Sequence, residues 1–502
     1  MPGAMPSLGS IGESQRSSLL RNGLYNVGGQ TVRGAVSLLA IPFLIRFLGI
    51  REYGVWSLAY AVFALMTMSE AGISVAAAVF LSKDLSRNDA REVSSTLTFV
   101  VVSALLLSAT LGLFLWIAGP LVAKPLVAFR SAERADAGRA MQIAGFALSA
   151  FIFQRILVGI EQAFDRYAAI NALEICQSLL ANVGLVVVVW LGGKTVSMME
   201  WQVLVCGLVL AAHCCVVFRL LCGKGLSLAW SGSKGRQILR YSVATWTATL
   251  GSAAFGQCDR FIVGGVLGAP LLGIYSAITN ITSRINSFSG TAVQPLVPSL
   301  SRDSASKVSV EGRIRQATQL NALIAIEAGI LLYVLAGWVM KATVPSATSE
   351  DILGLQIATI IYALYSINAP GYYILFSFGQ ARTNAIVVLL SGMVSLGLIF
   401  LGARQFGLLG AIAGNAGYLG TLWLIVVGLR KTGIPLSRYL SWMALPAVWL
   451  IIALIVGAAP DGHLLWRTVF IVVQGVLLAL WFLNDHGKSA WMDFGLGRSS
   501  EV

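Results

Sequence analysis

Asp259–Ser276 reads DRFIVGGVLGAPLLGIYS, and its second half has an earlier counterpart in the chain. Leu267–Ser276 is LGAPLLGIYS and Leu48–Ser57 is LGIREYGVWS. Both fit LG-x4-G-[VI]-[WY]-S without a gap, at an offset of 267 − 48 = 219 positions. In each copy an apolar run ends just before the LG and another starts just after the aromatic residue. A short turn between two apolar helices, recurring half a chain later, is the mark of a duplicated helical bundle. The glycines permit a tight turn, and Trp56 and Tyr275 are expected at the lipid–water boundary.

The rest of the composition agrees with a membrane setting. Of 502 residues, 57% are hydrophobic and 11% charged, against roughly 25% charged in soluble proteins. Mean hydropathy is +0.79. The apolar runs are long and lack strand-like alternation, which predicts spanning helices rather than a barrel. The net charge of +13 is read as basic loops facing cytoplasm and anionic lipid, not as a nucleic-acid surface. The six cysteines fall in or beside apolar segments with no CxxC pair, so they read as small core residues. The opening MPGAMPSLGSIGESQRSS is a polar tail without a signal-peptide pattern.

Windows of about 20 apolar residues give about fourteen spans, the first over 22–46 and the last over 464–483. The long second span (54–81) and eighth span (272–298) are expected to tilt or break. A polar loop is expected over 120–140. With an even count both ends share a side. Loops on that side carry about twice the Lys and Arg of the other, so both termini are expected in the cytoplasm. The expected organisation is a disordered tail (1–20), a six-helix lobe (21–222), a basic linker (223–240), a second six-helix lobe (241–430), two extra helices (431–484) and a cytoplasmic tail (485–502). Another echo, GIEQAFDRYAAIN at Gly159–Asn171 and GQARTN at Gly379–Asn384, supports two lobes in one orientation. GxxxxGK[ST], HExxH and GxSxG are absent, and His213, His463 and His486 stand in no motif. Neither a catalytic domain nor a metal or cofactor site is indicated.

Polar residues inside the spans fall in stripes. The first span carries Asn22, Asn26, Gln30, Arg33 and Ser37; the seventh carries Ser242, Thr245, Thr249, Ser252, Gly256 and Asp259; the eighth carries Asn280, Arg284, Ser287, Thr291 and Gln294. Steps of three and four put each set on one helix face. Small and hydroxyl residues serve close helix packing equally well. Charges shift the balance, because an arginine near the bilayer centre costs roughly 2.5–3.5 kcal/mol on insertion scales. Arg33 and Arg284 lie near mid-span and are read as cavity residues, while Arg155 and Arg260 lie nearer span ends. Glu70, Asp259 and Glu327 either take a proton or cation or neutralise an arginine. Asp259 and Arg260 are expected to point apart, and Glu174 is expected at the surface. A cavity with more arginine than acid, walled by amides and hydroxyls, suits a lipid bearing a phosphate and a glycan.

Several of these stretches, in this order, resemble the Wzx-type polysaccharide flippases of the multidrug/oligosaccharidyl-lipid/polysaccharide exporter superfamily. They are Arg21, Asn22 and Asn26, the Pro42–Ser57 stretch, the DRFIVGGVLG-x4-GIYS centre, Pro295 with Pro298, and FGLLGAIAGNAGY at Phe406–Tyr418. The resemblance covers roughly residues 20–430. It implies an all-α membrane protein with two parallel six-helix repeats around a central cavity that opens alternately to each side. It also implies, without catalysis, transfer of undecaprenyl-pyrophosphate-linked oligosaccharides across the bacterial inner membrane. Polysaccharide polymerase and chain-length proteins would then be its partners. The two extra helices resemble those of lipid II flippases, a second substrate class. A cation-coupled drug exporter of the superfamily, and a membrane glycan polymerase or ligase, are the remaining alternatives.

Overall fold

The computed structural model describes residues 32–493 except 71, 88, 127, 223–228, 295, 298–299, 301–306 and 459–463. The described residues are overwhelmingly helical and contain no strand. The first half comprises α1 (residues 32–48), α2 (Ile50–Thr67), α3 (Ile73–Ser86), α4 (Ala90–Ala123), α5 (Ser131–Ala163), α6 (Tyr167–Trp190) and α7 (Thr195–Leu221). The second half begins with α8 (Gly232–Val293), α9 (Lys307–Val334), α10 (Ala336–Thr343), α11 (Ser349–Ser366) and α12 (Ala369–Ser377). It continues with α13 (Ala381–Gly414), a 3-10 helix (Asn415–Leu422), α14 (Trp423–Thr432), α15 (Leu436–Ala458) and α16 (Leu464–Asp493). Among the described residues, eleven helical stretches are long and apolar enough to cross a membrane. Two of these, within Gly256–Val293 and Ala381–Thr432, contain a glycine at positive φ, Gly268 and Gly407.

Those glycines reverse the chain. Asp259 and Tyr275 would be about 24 Å apart along one continuous helix. Instead the Tyr275 hydroxyl donates to Asp259 Oδ2 at 2.9 Å, and Arg260 Nη2 donates to Asn280 Oδ1 at 2.8 Å. The two arms of α8 are therefore a hairpin closed at Gly268, whose φ of 81° is open to glycine and strained for other residues. Gly49, its repeat partner, has φ 82° and separates α1 from α2. The second predicted span also breaks, at a 3-10 turn over Met68–Glu70 followed by left-handed Gly72.

The two copies of the repeated motif pack on each other. A methyl group on Gly54 would lie 1.9 Å from the Ala269 carbonyl oxygen, and one on Gly273 would lie 2.2 Å from that of Ile50. Positions 50 and 269 are themselves a repeat pair, so the two contacts are reciprocal. Between them Ser276 Oγ donates to Ser57 Oγ at 3.0 Å, across 219 residues. Thus α2 and the second arm of α8 cross backbone to backbone about a local two-fold axis, which only small residues allow. This corrects the expectation for the two aromatic residues. Trp56 and Tyr275 are buried in protein rather than exposed to lipid, because the turns that carry them pack on each other across the two halves.

Other glycine-lined seams follow the same logic. Gly112, Gly119 and Gly145 bring α4 against α5, and a methyl on Gly119 would sit 2.7 Å from the Gln142 backbone nitrogen. The expected 120–140 loop shrinks to 124–130, because Ser131–Arg139 is polar yet rich in helix formers and extends α5 backward. Gly414, Gly417 and Gly420 face Ile399, Ser395 and Ser391 across the second hairpin. Of the expected linker, residues 232–240 already belong to α8. The last two helices pack on α9, where Ile326, Ile330 and Val334 meet Ala453 and Ile471. Broad apolar faces remain exposed, as on α4 (Leu105, Leu106, Leu113, Phe114) and α16 (Leu465, Val472, Val476), which suits lipid contact. Pro295 and Pro298 lie outside the described residues.

Candidate functional site

Two confluent hollows run between the halves. The larger, of about 860 Å³, is walled by α1, α2, α5, α6 and the second arm of α8. The smaller, of about 470 Å³, reaches Tyr362, Tyr365 and Tyr418 on the far side. Ser37, Tyr60, Asn182, Gln202, Arg284 and Ser287 line both, so they form the passage between the two.

The stripes read from the sequence converge here. Arg33 and Ser37 of α1 face the hollow, as do Asn280, Arg284, Ser287 and Thr291 of α8. Asp259 and Arg260 enter from the first arm of α8. Asn26 and Gln30 lie outside the described residues, as does the side chain of Ser252.

Most of the arginines in the hollow are occupied by neighbours. Arg33 is ion-paired to Glu174, and Arg155 Nη1 lies 3.2 Å from the other oxygen of the same carboxylate. Arg155 Nε also lies 3.8 Å from Glu70 Oε2. Glu174 is therefore not a surface acid. It bridges two cavity arginines, because α6 turns that face inward toward α1 and α5. Arg260 donates to Gly256 O, to Gln257 Oε1 at 2.8 Å and to Asn280 Oδ1. Asp259 accepts the Arg260 backbone N–H at 2.8 Å, and its Oδ1 lies 3.7 Å from Arg260 Nη1. The two side chains thus do not point apart as expected: the arginine folds back over its neighbour.

Arg284 differs. Its Nη2 donates to Ser37 Oγ at 2.9 Å, its Nε is buried without a hydrogen-bond partner, and no carboxylate pairs with it among the described residues. It stands in the passage between the two hollows. Glu327 lies elsewhere, on α9 against α16, where Gln474 Nε2 donates to it and Gly475 packs against the carboxylate.

The sequence reading missed an amide set on α5–α7: Gln154, Gln177, Asn182 and Gln202, with Gln154 Nε2 donating to Gln177 Oε1 at 2.8 Å. It also missed the tyrosine wall, in which Tyr365 sits 5.6 Å from Tyr418, centroid to centroid. Single polar residues on separate helices form no stripe, so only their depth in the spans could have flagged them. Away from the hollow, His213 Nδ1 and Glu161 Oε1 meet at 2.7 Å in full burial. Among the described residues no cluster of three His, Cys, Asp or Glu is placed to hold a metal.

At one membrane face, the start of α8 is pinned to the first half. Lys234 Nζ lies 2.7 Å from both Asp84 Oδ1 and Glu92 Oε2, and Asp84 also accepts from Thr96. Burial opposes the ammonium charge, but the two carboxylates outweigh it and hold the Lys234 pKa above its ordinary value. Phe80–Tyr241, Phe99–Trp230 and the Trp246 N–H on Met68 O extend the seam.

Comparison with known proteins gives a consistent result. A provisionally named O-antigen transporter of Shigella flexneri is 19% identical over 406 residues, covering 78% of this chain and 93% of its own. Among solved structures, the lipid II flippase MurJ in an inward closed conformation superposes with a TM-score of 0.73 at 13% identity, covering 92% of this chain and 99% of that one. An inward-facing multidrug resistance MATE family transporter of the MOP superfamily gives 0.64 at 14% identity, covering 83% and 96%. At such identities the two structures speak for the fold, and that fold is the one the sequence resemblance implies. A family model described as polysaccharide biosynthesis protein matches residues 43–347. The repeated motif, the inter-half hollow and this match, spanning more than half of the chain, make the protein a multi-pass membrane member of the polysaccharide biosynthesis protein family.

Proposed function

We propose that the protein moves a lipid-linked oligosaccharide across the bacterial inner membrane by alternating access, with both termini in the cytoplasm and without catalysis. The observation that carries this reading is Arg284, a half-buried cation without a carboxylate partner among the described residues, at the junction of two polar hollows. A guanidinium in that position is free to fork onto phosphate oxygens. The amide- and tyrosine-lined walls on either side offer hydrogen bonds and flat faces to sugar rings. The lipid tail stays in the bilayer while the head occupies the hollow.

In this proposal the two six-helix lobes (21–222 and 241–430) rock against each other and part in turn at the α2–α8 crossing and at the Lys234 seam. Undecaprenyl pyrophosphate is the expected carrier. Each negative charge moved outward gains about 2.3 kcal/mol per 100 mV of inside-negative potential, which biases export without an ion. Any further coupling to H⁺ or Na⁺ falls to Glu70, whose Oε2 is buried without a hydrogen bond, or to Asp259. Glu327, remote from the hollow, is not given that role.

The test is transport of a defined lipid-linked glycan in vesicles. Arg284→Ala lowers the rate at least about 10-fold, a loss of ~1.4 kcal/mol of binding, while Arg284→Lys retains part of it. A wild-type rate for Arg284→Ala, with the protein folded in the vesicle, rules the mechanism out. Substituting a MATE-type organic cation for the glycan as cargo separates the drug-exporter alternative.

A further inference from the structure

The described structure has a second basic hollow, outside the passage between the halves. It is a cavity of about 490 Å³ over the α4–α5 seam, lined by Pro120, Lys124, Ser131, Arg134, Arg139 and Gln142 among others. Its lining contains three cations and no acid. The nearest carboxylates in sequence are Glu133 and Asp136. Neither lines the cavity, and Glu133 is taken by Arg51 at 2.9 Å and by the Arg130 backbone N–H.

Three other cations near helix ends have acids. Lys234 has Asp84 and Glu92, Arg315 has Asp485, and Arg438 has Glu311. Even the comparable surface hollow beside α15 and α16 contains Asp485 among its arginines. Lys124, Arg134 and Arg139 have no side-chain partner among the described residues, so three like charges share one recess without compensation. Such a recess attracts an anion.

Its position says which kind. The cavity sits where α4 ends and α5 begins, level with the ends of two spans and hence with the lipid headgroups. One helical turn deeper on the same faces are Trp116 (i−4 from Pro120) and Phe146 (i+4 from Gln142), both exposed. A charged recess above an exposed apolar seam matches a molecule with an anionic head and an apolar tail. We propose that this recess is a binding site for a lipid-borne phosphate, with Lys124, Arg134 and Arg139 on the headgroup and Trp116 and Phe146 against the acyl chain. It lies apart from the passage that Arg284 occupies, and it stands whether or not the transport reading does.

The experiment is native mass spectrometry of the full chain released from nanodiscs that contain phosphatidylglycerol and phosphatidylcholine in equal amounts. The wild type retains phosphatidylglycerol selectively. The triple variant Lys124→Gln/Arg134→Gln/Arg139→Gln loses at least about 10-fold of that preference, while Trp116→Ala weakens retention of both lipids. Unchanged retention in the folded triple variant, judged by its elution as a monodisperse peak, overturns the proposal. Should the triple variant not fold, Arg139→Glu alone is the deciding variant, and unchanged selectivity there overturns the proposal equally. Competition with inorganic pyrophosphate distinguishes the sources. Displacement of the lipid only at high pyrophosphate concentration supports a lipid site, and saturable pyrophosphate binding without lipid selectivity overturns it.

Discussion

At the scale of the residue, the arginines of the central hollow divide into paired and unpaired. Arg33 and Arg155 share Glu174, whereas Arg284 meets a serine. Removing Glu174 strands Arg33 in a half-buried site and leaves Arg155 only the 3.8 Å approach to Glu70. Breaking a fully buried pair costs about 3–5 kcal/mol, and exposure near one quarter reduces it, so Glu174→Gln is expected to cost about 1–2 kcal/mol. Thermal unfolding in detergent measures this, and Arg33→Ala combined with Glu174→Gln recovers part of the loss. The stripe of α8 made Arg284 legible from the sequence, since steps of three and four are a local property. The Glu174 bridge was not legible, because Arg33 lies 141 positions away and no local pattern encodes that distance. Asp259 shows the same limit. Neighbours on a helix do diverge at Cβ, but the length of an arginine lets it return.

At the scale of the element, glycines decide the fold. Gly54 and Gly273 have carbonyl oxygens where a side chain would go, so Gly54→Ala and Gly273→Ala force the helices apart, at about 1–3 kcal/mol each. The reciprocal geometry predicts similar losses for the two. Gly397→Ala, with open space around it, is expected within about 0.5 kcal/mol of wild type. Melting temperatures of the three variants check this. The LG turns were legible because positive φ leaves a compositional signature. Which side of the turn meets protein was not, since Trp56 and Tyr275 have the same letters whether they face lipid or a partner helix.

At the scale of the whole molecule, the halves touch along the α2–α8 crossing at one end and along the Lys234 seam at the other. Oxygen atoms 3.0 Å apart at Ser57 and Ser276 put a cysteine pair within disulfide reach. In a background without the native cysteines, Ser57→Cys/Ser276→Cys is expected to cross-link on oxidation and to lose transport. Reductant restores it, as read by gel shift and by vesicle flux. Transport at the full rate by cross-linked protein would mean that the halves need not part there. Lys234 carries the opposite seam through the neutral range. Its pKa is raised, so its stabilising share is complete below the ordinary lysine value and fades only as alkaline pH passes the raised one. The rate of a seam-limited step is therefore flat with respect to this group between mildly acidic and mildly alkaline pH, which a pH series on Lys234→Met against wild type tests.

The run Asn415–Leu422 is eight residues of 3-10 helix, where pieces beyond three or four residues are uncommon. Gly414 just before it, Gly417 and Gly420 recur at every third position, and at three residues per turn they stack on a single edge against Ile399, Ser395 and Ser391. An α-helix advances about 100° per residue rather than about 120°. Slackening to that pitch would fan the glycine edge apart and swing Tyr418 through about 60° relative to Asn415. The wall of the hollow that bears this tyrosine would thus shift with the tightness of the coil behind it, and under the proposed transport such torsion would reach the cargo without any helix bending. Hydrogen exchange faster at 415–422 than in the following Trp423–Thr432 would register that torsion.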